Sequence, residues 1–120
     1  MMPQIMIEQS RRLAGLYDSR ALALAIHHAA VDIIETTLES CKTRIVTLDE
    51  TVIGAGDPEN AMLHIDFRGL SGRTPDQKAA LGRAILALAG DALPRSLSGV
   101  QLTVEIRDLD RENYHKKEYR

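Results

Sequence analysis

The sequence predicts an α+β fold of the order β-α-β-β-α-β, with both helices on one face of a four-stranded sheet. Three observations carry this. Apolar and polar residues alternate near the N terminus, from Ala61 to Arg68 and again in GVQLTVEIRDL, which is the period of a half-buried strand. The segments ALALAIHHAAVDII and QKAALGRAILALA instead space their apolar residues for a helix. The pattern of about 3–58 recurs over about 59–120, so the chain reads as two successive β-α-β halves of one domain. Right-handed crossovers place both helices on the same side.

Element by element, Pro3 to Gln9 sets Ile5 and Ile7 against Met6 and Glu8 and forms the first strand. Proline is tolerated at its head because a first residue need not donate to the ladder. After the loop SRRLAGLY, Asp18 suits the N-cap of a helix over about residues 19–36, with Leu22, Ile26, Ala29 or Ala30, and Ile33 inward. TRIVTL, rich in β-branched residues, reads as the second strand, and ETVIG as a short continuation before the turn at Gly54-Ala55-Gly56-Asp57-Pro58. In the third strand Leu63, Ile65 and Phe67 oppose Met62, His64 and Asp66. Thr74-Pro75-Asp76-Gln77 has the spacing of a capping box with proline at the first helical position. Leu81, Ala84 or Ile85, Leu88 and Ala92 make the buried stripe of that helix, and Pro94 stops it. Val100, Leu102, Val104 and Ile106 share one face of the last strand. If the sheet face away from the helices is apolar, a further copy of the chain is its simplest cover.

Bulk properties narrow the partners. At 120 residues the chain has the size of one domain. Fifteen basic and 17 acidic side chains leave a formal charge of -2, with no basic stripe to hold nucleic acid. The most apolar stretch is shorter than the roughly 20 residues of a membrane span. No basic segment followed by an apolar core precedes the first strand, and the lone Cys41 has no partner for a disulfide, so a cytoplasmic location is expected.

Candidate chemistry gathers at a few residues. Pro3 either leads a strand with no further role or, with its nitrogen free, offers a secondary amine whose basicity desolvation or nearby cations would bring towards neutrality. Arg73 lies in the G-x-x-G-R-T loop before the second helix, either solvated or holding a carboxylate beside a helix N terminus. Lys42 and Arg44 point to the same side of a strand, as a polar edge or a second cationic spot. His27 and His28 sit on a helix, where structural histidines are the rule, and His64 is an interface residue or a pocket wall. Metal-binding pairs, phosphate loops and a nucleophile elbow all lack their spacings, so no cofactor is expected.

Together the strand-leading proline, the K-T-R segment, MLHIDF followed by the G-x-x-G-R-T loop, and NYHKK near the C terminus resemble the 5-carboxymethyl-2-hydroxymuconate isomerase family of the tautomerase superfamily. The resemblance runs over essentially the whole chain and is strongest from His64 to Thr74. It implies a homotrimer, a small polycarboxylate substrate from aromatic (homoprotocatechuate) catabolism, and cofactor-free proton transfer turning a dienol into its unsaturated ketone. Position by position it implies Pro3 as the general base and Arg73 as the group that holds a carboxylate or steadies the oxyanion. Lys42 falls where an arginine is expected, Arg44 matches a neighbouring arginine, and Tyr114 matches an aromatic near the C terminus. Arg11 and Arg12 match nothing. A lysine keeps the charge but loses the bidentate fork, which leaves the substrate open to another small unsaturated or 2-oxo acid. The same strand order also suits a non-catalytic ligand-binding or oligomerisation module.

The first residues decide between these. Pro3 follows Met1-Met2, and as written its nitrogen is an amide with no usable lone pair. Either translation begins at Met2 and removal of that methionine frees Pro3, which the resemblance favours, or both methionines stay and the chain is silent or altered.

Overall fold

Alternation builds the sheet. In the computed structural model, which describes residues 2–119, β1 (Gln4–Ser10) buries Ile5 and Ile7 completely and leaves Gln4, Met6 and Glu8 half-buried on the other face. β3 (Ala61–Leu70) does the same with Ala61, Leu63, Ile65 and Phe67. β2 (Lys42–Leu48) and β4 (Val100–Leu109) take the two edges, giving the order β2-β1-β3-β4. β1 runs parallel to β2 and antiparallel to β3, which is parallel to β4. Each parallel pair is joined by a helix, α1 (Ser19–Ile34) or α2 (Pro75–Ala92). The expected α+β architecture is the observed one.

Both helices cover the Ile5–Ile7 face. α1 contributes Leu22, Ile26, Ala30 and Ile34 to the core, and α2 contributes Leu81, Ile85 and Ala89. Asp18 caps α1 by accepting from the Ala21 amide at 3.0 Å. The helix stops at Ile34, two residues short of the sequence expectation, because Glu35 turns left-handed at φ 57° and Thr36 enters a buried hydroxyl pair with Ser40 at 3.0 Å. α2 begins as the sequence prescribes: the Gln77 amide donates to Thr74 Oγ1 at 3.1 Å while Gln77 Oε1 accepts from the Thr74 amide at 2.9 Å.

ETVIG is not a strand. β1 ends at Ser10 opposite Leu48, so nothing remains for a continuing strand to pair with. Thr51 instead shares a hydrogen bond with Ser10 at 3.0 Å, and Val52 stands 75% exposed. The sheet face away from the helices also departs from the apolar surface that would by itself call for a covering subunit. On β3 and β4 it mixes His64, Asp66, Arg68, Gln101, Thr103, Glu105 and Arg107 with the apolar Met62, Leu70 and Leu109. Among the described residues no helix is long and apolar enough to cross a membrane.

Candidate active site

The strand directions collect most of the candidates at one end of the sheet. Gln4 pairs with Lys42 on one side and Arg68 on the other, and Arg68 pairs with Arg107. The starts of β1 and β2 therefore meet the ends of β3 and β4, and Pro3, Lys42, Arg44, Arg73 and Tyr114 all attach there.

They do not share one face. Pro3 has the parity of Ile5 and is buried on the helix side, its carbonyl accepting from the Lys42 amide at 3.2 Å. Continuing the register Gln4↔Arg68 by one residue sets Pro3 beside Gly69. Gly69, Phe67, Ile34 and Leu81 line a narrow crevice with Arg73 at its polar margin, near Lys78 and Asp108, which pair at 3.3 Å. The crevice holds only about 10 Å³, room for no more than a single water. The loop that carries Arg73 is shaped by Gly72 at φ 118°, where a Cβ would come 3.3 Å from the Arg111 guanidinium. Arg111 Nε in turn donates to the Ser71 carbonyl at 2.7 Å.

Arg44 and Tyr114 lie on the opposite face. With Gln4, Met6, Asp66, Arg68, Leu109 and His115 they line an open cleft of about 430 Å³. Gln4 joins them, accepting from Arg44 at 2.6 Å and donating to the Tyr114 hydroxyl at 2.9 Å. Beneath the cleft Asp66, 8% exposed, takes two hydrogen bonds from Arg107, at 3.1 and 2.8 Å, and one from Arg68 at 3.1 Å. Burial pushes the Asp66 carboxyl up, but the hydrogen bonds and charges of Arg107 and Arg68 outweigh it and hold the group below its ordinary value. Lys42 faces a separate basin of about 510 Å³ along the sheet edge, bounded by Tyr114 to Tyr119. Its ammonium donates to the Ser40 carbonyl at 3.0 Å.

The remaining candidates have structural partners. Arg12 donates to the carbonyls of Glu59 and Ser98, at 3.0 and 2.6 Å, and Arg11 pairs with Asp49 at 2.9 Å, all at the far end of the sheet. His27 shares a hydrogen bond with Thr43 at 2.7 Å, seating α1 on β2, and burial followed by the charge of His28 lowers its basicity. His64 meets Thr103 at 2.7 Å on the polar face. Burial raises the Cys41 thiol against the opposing pull of Lys42, so it is a poor nucleophile. Sequence reasoning missed Asp66, Arg68 and Arg107 as a unit. The alternation of IDFR gave the first two a common face, but only the β3–β4 register brings in Arg107.

Two parallel β-α-β units joined antiparallel, with a proline heading the first strand, are the fold of the tautomerase superfamily. The chain resembles a 5-carboxymethyl-2-hydroxymuconate isomerase from Deinococcus radiodurans R1, with TM-score 0.87 and 20% identity over 98% of this chain and 90% of that one. A 5-carboxymethyl-2-hydroxymuconate delta-isomerase gives 0.74 at 15% identity, covering 98% and 88%. A fused 4-OT wild-type symmetric trimer gives 0.74 at 24%, covering 92% and 89%. No curated protein matches the chain in sequence. The model of the 5-carboxymethyl-2-hydroxymuconate isomerase family matches residues 3–119, and the chain belongs to that family. It is an isomerase of the tautomerase superfamily.

Proposed function

We propose that the protein converts 5-carboxymethyl-2-hydroxymuconate, or a close dienol carboxylate of homoprotocatechuate catabolism, into its unsaturated ketone, with the Pro3 nitrogen as general base once Met2 is removed. The observation that carries this is the family match, which begins at Pro3 itself. A neutral secondary amine accepts the dienol O–H proton and returns it to carbon as the double bonds shift, so no redox partner or cofactor enters the balance. Burial on the helix side favours the neutral amine over its ammonium form. Arg73, one loop away, holds a carboxylate or the oxygen on which charge develops. Lys42, Arg44 and Tyr114 face other spaces of the same chain, so their part, Lys42 and Arg44 holding further carboxylates and Tyr114 walling the site, is one they play towards the site of a neighbouring copy.

The single chain leaves only about 10 Å³ beside Arg73, too little for such a substrate. A site shared between copies in a homotrimer supplies the missing room. The β2 edge, with Ile45 and Val46 exposed, offers the unpaired strand that such an assembly would use. Whether Pro3 is freed depends on which methionine starts the chain, and Met1 lies outside the described residues.

The test is the isomerisation itself, followed by the change in dienol absorbance, with protein whose N terminus is shown by intact mass to be Pro3. The rate should stand far above background and fall in Pro3→Ala and Arg73→Ala. A rate at background for the wild type, or full rate in Pro3→Ala, rejects Pro3 as the base. A sedimentation profile showing only monomer rejects the shared site.

A further inference from the structure

The segment after β4 returns to the start of β1. Asp110 caps a short turn at Arg111–Asn113 by accepting from the Glu112 amide at 3.1 Å. Beyond it the Tyr114 hydroxyl accepts from Gln4 at 2.9 Å, and Lys116 Nζ reaches Met2 Sδ at 3.4 Å. The Lys116 side chain is 33% exposed, so its ammonium is partly withdrawn from water. Met2 is the residue acylating the Pro3 nitrogen. When it leaves, the ammonium that touched its sulfur is left at the mouth of the vacated space.

Resting on the reading of Pro3 as the base, we infer that Lys116 is a positioning residue that sets a positive charge beside the Pro3 amine and keeps that amine neutral at the working pH. A neighbouring cation disfavours the protonated form of an amine. Other charged groups around this end have partners, as Lys116 has in Glu118, and Arg44 donates to Gln4 at 2.6 Å on the face away from Pro3. Lys42 gives its ammonium to Ser40, Arg68 is tied to Asp66 on the opposite face, and Lys117 lies over the Tyr119 ring at 5.2 Å. Arg73, with the Lys78–Asp108 pair, borders the crevice from the α2 side. His115, Glu39 and Glu118 line the basin at the sheet edge, Glu118 at 3.9 Å from Lys116. The Lys116 ammonium lies 3.4 Å from the sulfur of the residue bonded to Pro3.

The experiment reads the amine without turnover. A chain started at Met2, its N terminus verified by mass as Pro3, is labelled with acetic anhydride across a pH series, and peptide mapping isolates modification of the proline. In Lys116→Ala the amine should titrate at higher pH, and its labelling at neutral pH should slow about threefold to tenfold. Lys116→Arg should restore the wild-type curve, Lys117→Ala should leave it in place, and added salt should narrow the gap between wild type and Lys116→Ala. An unmoved titration in Lys116→Ala, or an equal displacement in Lys117→Ala, overturns the inference. A moved titration with an unmoved pH profile of isomerisation leaves Lys116 in this role and rejects proline as the base; movement of both together supports both.

Discussion

The two ends of the sheet are built from similar polar residues and treat them in opposite ways. At the far end, the buried Gln9 side chain accepts from the Tyr17 hydroxyl and donates to Thr47 Oγ1 at 3.0 Å, while Ser10 Oγ accepts from the Met62 amide at 2.9 Å. Arg12 there pins the backbone before β3 to that before β4. At the near end the cations instead border spaces: Arg44 and Arg68 an open cleft, Lys42 a basin, Arg73 a crevice. Arg12 spends its hydrogen bonds on backbone that joins two strands, whereas Arg44, Arg68 and Lys42 keep a partner, in Gln4, Asp66 and Ser40, while still bordering open space. Charge alone did not separate Arg12 from Arg73 in the sequence. The partners do.

The contrast breaks most completely at the proline. Protein that retains Met2 should isomerise about a hundredfold to ten-thousandfold more slowly than protein starting at Pro3, in a parallel assay of the two mass-verified forms. Removing one near-end cation should cost less: Arg73→Ala should lower kcat/KM about tenfold to a hundredfold in the same assay. At the far end the signature inverts. Gln9→Ala strands the Tyr17 hydroxyl and should cost about 1–3 kcal/mol of unfolding free energy by urea denaturation, with kcat/KM unchanged.

Asp66 sharpens the comparison through pH. Its carboxyl is more acidic folded than unfolded, so its stabilisation is present above the unfolded carboxylate range and is lost as pH falls through that range towards the depressed folded value. Thermal unfolding of Asp66→Asn should therefore lie below wild type at neutral pH and converge with it in acid. Arg11→Ala, which breaks an exposed pair with Asp49, should leave both midpoint and activity where they were.

What the sequence could show followed from how local each signal was. Thr74 and Gln77 specify their helix start within four residues, and the hydrogen bonds form as read. Ile5, Ile7, Leu63 and Ile65 announce a buried face by alternation alone. ETVIG misled because β-branched residues favour a strand only where a neighbour exists, and β1 has already ended. For the site, the residue types and their common end were legible, since Lys42, Arg44 and Pro3 sit near strand starts. That Pro3 and Arg44 occupy opposite faces required the register, and the Asp66–Arg107 pair required the parallel alignment of two strands 41 positions apart in the chain.

Gln4 and Gln9 each bond a tyrosine hydroxyl, Tyr114 at one end of the sheet and Tyr17 at the other. The chain has three tyrosines and no tryptophan, and the third, Tyr119, stands 84% exposed. With Tyr119 changed to phenylalanine, the intrinsic fluorescence would come from one emitter at each end. The two emit in one band, so a second replacement, of Tyr17 or of Tyr114, leaves a single emitter that reports on the C-terminal segment or on the far end of the sheet alone.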